Sequence, residues 1–132
     1  RAALSVLADD GADSPDGECP YERLEAAGAR LQAGIEEAAR RHGIPFRIER
    51  QGSMMGLFFT ASPVRRLEDV HASDRQLFAR VFHLLLAHGV HLPPSPYEAC
   101  FLSTAHGEPE IAATLEAFDR AFAEVGEVAA RP

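Results

Sequence analysis

Apolar residues recur along most of this chain at one of two spacings, and the changes between them mark out its elements. From Tyr21 to His42, Leu24, Ala27, Leu31, Ile35 and Ala38 step by three and four, which puts them on one side of a helix. Pro20 falls near the first helical position, Glu22 and Glu25 lie in the first turns, and Arg40, Arg41 and His42 precede Gly43. That charge order complements the helix dipole, so the arginine pair reads as a helix end rather than an anion site. Gly43 supplies a left-handed cap. Ile44, Phe46 and Ile48 then alternate with Pro45, Arg47 and Glu49, the period of a strand with one wet face. Gly52 and Ser53 break it. Met54 to Thr60 is apolar on both faces, which predicts a central strand covered on both sides.

Ala61 to Ala72, with Pro63 and the Arg65-Arg66 pair, reads as a loop. Ser73 followed by Gln76 has the spacing of a capping box, and Leu77, Phe78, Val81, Phe82 and Leu85 give the helix after it a buried stripe that ends at Gly89. A short apolar run at Val90 to Leu92 and another at Cys100 to Leu102 predict two short strands. Gly107, Glu108, Pro109 and Glu110 open a last helix, with Ile111, Leu115, Phe118, Phe122 and Val125 on its apolar side and fraying expected from Gly126. Ahead of all this, Ala2 to Ala8 has helical composition but is too short to stand alone, and Asp9 to Pro20 is turn chemistry. The sum is an α+β domain: a small, mostly antiparallel sheet with helices packed on one face. Residues 1–20 read as a truncated helix and connecting loop, 21–125 as the α+β core and 126–132 as a tail.

Composition narrows the possible functions. The 132 residues are 46% hydrophobic, enough for one real core, and the net charge of −7 argues against nucleic acid and against anionic membranes. No apolar run approaches the ~18 residues of a membrane span, and no signal-peptide pattern opens the chain. Cys19 and Cys100 are far apart and belong to no CxxC pair, which reads as reduced thiols in a cytoplasmic compartment, with Cys100 buried as a small hydrophobe. All 13 basic residues are arginine. Lysine is absent, so no Schiff base can form on a side chain of this polypeptide. The start at Arg1, within a helix-like stretch, reads as a piece of something larger.

The candidate chemistry gathers between Gly89 and His106. Pro93, Pro94 and Pro96 stiffen this segment and restrict the residues before them, so Tyr97 and Glu98 are presented on a rigid loop between two expected strands. On residue type alone Glu98 is a solvated acid as readily as a functional one. His83, His88, His91 and His106 lack the i, i+4 pair of a zinc helix and have no completing acid. Gly52 and Gly56 precede a strand and no Gly-Lys-Ser/Thr follows, so they form no phosphate loop; Gly56 reads as a close approach or a bulge. Met54 and Met55 read as packing or interface residues.

Taken as an ordered set, these motifs resemble a known family. Gly52-Ser53-Met54-Met55-Gly56-Leu57-Phe58-Phe59-Thr60 is similar to the corresponding strand of the glutamate-1-semialdehyde 2,1-aminomutase family, with Met55 where that family has Phe. Ser73-Asp74, Gly89-Val90, Pro94-Ser95, Tyr97-Glu98-Ala99, Phe101-Leu102-Ser103 and Ala105-His106 follow at the same spacing. Tyr21 to Leu24 and Gly28 to Leu31 resemble the family's helix after its domain crossover. Pro94, Pro96 and Gly107 depart from its usual residues.

The resemblance implies the small C-terminal domain of a fold-type-I, class-III pyridoxal-phosphate enzyme that converts glutamate-1-semialdehyde to 5-aminolevulinate for tetrapyrrole synthesis. It implies a large cofactor-binding domain as partner, a homodimeric parent, and a fragment that is inactive and carries neither pyridoxal phosphate nor pyridoxamine phosphate alone. By the same resemblance Glu98 is the active-site glutamate, while Ser53 and Met54 border the cleft of substrate and cofactor. Two rivals stay open: the small domain of another class-III aminotransferase, and a non-catalytic regulatory or interaction module.

Overall fold

The computed structural model describes residues 19–129. The helix expected at Ala2 to Ala8 and nearly all of the turn segment after it lie outside those residues. In chain order the elements are α1 (Pro20–Arg41), β1 (Arg47–Gln51), β2 (Met54–Phe58), α2 (Leu67–His71), α3 (Arg75–Ala87), β3 (Cys100–Phe101) and α4 (Glu108–Ala129). The strands form one antiparallel sheet in the order β1-β2-β3, with Ile48 opposite Leu57 and Met55 opposite Cys100. This is the expected α+β sheet, and the described elements put the core on one of its faces.

Leu31 and Ile35 of α1, Phe78, Val81 and Leu85 of α3, and Ile111, Phe118, Phe122 and Val125 of α4 close over Ile48, Met55 and Leu57. Phe122 sits at the centre of an aromatic group, edge-on to Phe46 at 5.5 Å, Phe118 at 5.6 Å and Phe59 at 6.3 Å, the arrangement that ring quadrupoles favour. Gly28 lets α1 approach the β1–β2 turn, because a Cβ there would fall 2.8 Å from the carbonyl oxygen of Gly52. Arg50 fastens the same contact. Its guanidinium donates to both carboxylate oxygens of Glu25 at 2.9 and 2.7 Å, to Gln32 Oε1 at 3.1 Å and to the Gly52 carbonyl at 2.8 Å. The paired guanidinium holds the Glu25 carboxyl below its ordinary range.

The structure corrects several expectations, and two share one cause. Gly43 (φ +68°) and Gly89 (φ +85°) end α1 and α3 with the same pair of bonds. The Gly43 amide donates to the Arg40 carbonyl and the Ile44 amide to Ala39 at 2.8 Å; the Gly89 amide donates to Leu86 and the Val90 amide to Leu85 at 2.8 Å. In this motif the residue after the glycine belongs to the helix cap. Ile44 therefore cannot begin a strand, and β1 starts at Arg47 instead. Val90 to Leu92 forms no strand at all, for the same reason and because Pro93 follows.

The loop expected over Ala61 to Ala72 contains α2, whose start is closed by the Asp69 carboxylate accepting from the Arg65 and Arg66 amides at 2.9 and 3.0 Å. These bonds hold the Asp69 carboxyl below its ordinary range. The cap of α3 is Asp74, which accepts from the Gln76 and Leu77 amides at 2.9 Å. Ser73 is not the cap; its hydroxyl donates to the Val70 carbonyl at 2.6 Å and finishes α2. Helix α4 continues through Gly126 to Ala129 rather than fraying at Gly126. Finally, β2 is central in the sheet but alternates buried and half-open residues. The cover expected on its second face is only partial among the described residues, supplied by Val70 of α2 and Tyr97.

Candidate functional site

The loop from His91 to Ala99 leaves the cap of α3 and crosses the end of the sheet. Its three prolines leave few backbone amides to satisfy, and a turn does the rest. Ser95 Oγ accepts from the Tyr97 amide at 3.2 Å, and the Ser95 carbonyl accepts from the Glu98 amide at 3.2 Å. The backbone at Glu98 is thereby fixed while its side chain stays exposed, with no hydrogen bond or ion pair among the described residues. Tyr97 ties the loop to α2: its hydroxyl lies 3.3 Å from His71 Nδ1, with the two rings 5.3 Å apart. Sequence reasoning missed this pair, since two exposed residues 26 positions apart leave no periodic signal.

Glu98 stands where two clefts meet. One, of about 300 Å³, opens on the face of the sheet away from the helices, with Met54, Gly56 and Phe58 as floor and Val70 and Tyr97 as walls. The other, of about 430 Å³, lies under the proline loop on the helix side, against Leu31, Ile35, Leu57 and Phe118. Met54 and Glu98 share the first cleft. Ser53 lines neither; half-buried in the β1–β2 turn, it accepts the Leu102 amide on its carbonyl at 3.0 Å and so continues the pairing of β2 with β3.

Cys100 borders the second cleft, and burial pushes its thiol up to about 11, with the Glu98 carboxylate adding to the effect. Such a thiol stays protonated at neutral pH and is a poor nucleophile. The histidines are dispersed, with His83 and His91 exposed. His42 and His88, the caps of α1 and α3, lie 2.8 and 2.9 Å from Asp119 and Glu124 of α4, and His106 Nδ1 sits 3.0 Å from Ser103 Oγ. Among the described residues no three His, Cys, Asp or Glu side chains group as metal ligands, and no helix is long and apolar enough to cross a membrane. The arrangement thus offers the uncommitted Glu98 carboxylate on a stiff loop beside an apolar cleft. The chain has no lysine amine, and among the described residues no metal-ligand group lies beside it.

No family model matches the chain. It is 46% identical over 102 residues to the glutamate-1-semialdehyde 2,1-aminomutase of Thermus thermophilus, a match that covers 77% of this chain and 24% of that protein. Glutamate-1-semialdehyde 2,1-aminomutase 2 of Shouchella clausii is 47% identical over the same length, with the same shares covered. Among solved structures, the PLP form of the Sphingopyxis sp. MTA144 FumI protein superposes with a TM-score of 0.65 at 32% identity, over 86% of this chain and 25% of that one. The chain spans about a quarter of the length of the curated relatives it matches. Over most of its length this chain is thus similar to the C-terminal region of proteins named glutamate-1-semialdehyde 2,1-aminomutase.

Proposed function

We propose that this chain is the small C-terminal domain of a pyridoxal-phosphate-dependent aminomutase that turns glutamate-1-semialdehyde into 5-aminolevulinate by moving an amino group within one molecule. The observation that carries this reading is the 46–47% identity to proteins of that name over 102 residues. The partner is the enzyme's own large domain. The parent is a cytoplasmic homodimer serving tetrapyrrole synthesis, with no role for nucleic acid or membrane. This domain is inactive alone.

Pyridoxal phosphate, when bound, supplies the electron sink that allows an amino group to change carbons. This chain has no lysine, so the covalent anchor for that group comes from the large domain. What the small domain contributes is a wall of the cleft. Glu98, on its fixed turn, accepts a hydrogen bond from a cationic amine of substrate or cofactor and holds its proton in place. Enclosure by the large domain lowers the local dielectric and strengthens that contact. Met54 lines the cleft beside Glu98, and Ser53, outside that cleft, fixes the turn from which Met54 starts.

A second reading, a transaminase that exchanges amines between two substrates, is favoured by the likeness to solved transaminases such as the omega-transaminase from Sphaerobacter thermophilus. The full-length protein decides between them. Given glutamate-1-semialdehyde alone, it should release 5-aminolevulinate with no added amino donor or oxo acid. Turnover only when 2-oxoglutarate and an amine are both supplied would replace the first reading by the second.

A further inference from the structure

Two clefts on the helix side of the sheet meet at one residue. The cleft under the proline loop, against Leu31, Ile35, Leu57 and Phe118, is apolar. A second, of about 330 Å³, lies between the first half of α1 and the start of α4 and is lined by Arg23 and Arg30. His106 borders both. The Ser103 amide donates to His106 Nδ1 at 3.0 Å, nearer than the Ser103 carbonyl at 3.3 Å. Nδ1 therefore accepts, and Nε2 carries the ring proton as a donor. Arg23 is half-buried and makes no hydrogen bond or ion pair among the described residues, although acids outnumber bases 20 to 13 in the chain. Arg30 is shared with Glu108, whose carboxylate also lines the basic cleft. Beyond Arg30 the two helices close on each other, because Gly34 has no room for a Cβ against Leu115, so the basic cleft is short.

We propose that these two clefts form one site for a small amphipathic carboxylate, its head on Arg23 and Arg30 beside His106 and its apolar body under the proline loop. Charge complementarity sets that orientation. Glu98, on the rim of the apolar cleft, repels the head, whereas a guanidinium pairs with a carboxylate through two parallel hydrogen bonds. Volumes of about 330 and 430 Å³ fall in the range of small-molecule pockets. The site lies on the opposite face of the sheet from the cleft given to substrate. It needs no step of the proposed reaction, and the two stand or fall separately.

Decanoate is the probe, with decanol and decylammonium as controls of equal chain length. Cys100 borders the apolar cleft and Cys19, the N-cap of α1, does not, so thiol labelling reads occupancy with an internal reference. The full-length protein is treated with N-ethylmaleimide and the two cysteine peptides are quantified by mass spectrometry. Decanoate should slow labelling of Cys100 at least about fivefold and of Cys19 less than about twofold. Arg23→Glu should raise the decanoate concentration for half protection at least about tenfold, and Glu108→Gln, which frees Arg30, should lower it about threefold. Without ligand both variants should label at the wild-type rate, as folded proteins do. Equal protection by decanol would show that the arginines do not read the head, and stronger protection by decylammonium would put a cation against Glu98; either overturns the proposal. Labelling of Cys100 that decanoate leaves unchanged, or a Cys100 inert before any ligand is added, would show the clefts closed and overturn it too.

Discussion

Glu98 shows how little a side chain's type says about its role until its surroundings are known. Its backbone is pinned by the Ser95 turn and by the prolines that precede it, yet its carboxylate makes no hydrogen bond or ion pair among the described residues. A solvated loop acid needs no such preparation; an acid that must meet a ligand at a set place does. Cys100, two residues on, is the opposite case: half-buried, with its thiol pushed up to about 11, it is silent as a nucleophile. In the full-length protein Glu98→Gln should therefore lower kcat at least tenfold, about 1.4 kcal/mol of barrier, while Cys100→Ala should leave kcat within about twofold because that thiol is not ionised. Wild-type turnover by the glutamine variant would take Glu98 out of the site.

At the level of elements, the long helices were legible because five apolar residues at helical spacing in each outvote any local ambiguity. Helices α1 and α4 follow the expected stripes closely. The short pieces failed where a cap or a single carboxylate decides the backbone. Ile44 and Val90 look like strand residues by composition, but each is the last member of a glycine-centred helix cap. Nothing apolar marks α2; its start depends on Asp69 reaching two amides. For α3 the Ser73–Gln76 spacing pointed one residue early, because Asp74 is the side chain that takes the two open amides. The site was legible in part. Met54 and Glu98 do share a cleft, Ser53 lies outside it, and the Tyr97–His71 contact that steadies the loop left no sequence trace. Asp74→Ala should cost about 1 kcal/mol in urea unfolding, and Gln76→Ala no more than about 0.5. Equal losses would restore the capping box that the sequence favoured.

The whole molecule is one-sided: three helices and their aromatic group cover one face of a three-stranded sheet, and the opposite face carries Met54 and Phe101 in the open. The apolar pattern of Met54 to Thr60 called for cover on both sides, so pattern and structure disagree on one face only. The disagreement has a simple resolution if that face is completed by other residues. The distribution of amines points the same way. Pyridoxal phosphate is held in its enzymes through a lysine nitrogen, and a chain whose 13 basic residues are all arginine can offer only the amine at its own start. The 132-residue chain, incubated with pyridoxal phosphate, reduced with borohydride and dialysed, should therefore retain no coenzyme on any side chain, as read by absorbance and by peptide mass. The full-length protein treated in the same way should retain about one coenzyme per polypeptide, fixed to a lysine outside this region. Coenzyme fixed by reduction to an internal peptide of the short chain would contradict the chemistry of an all-arginine polypeptide. A full-length protein that retained none would remove the coenzyme from the proposed function altogether.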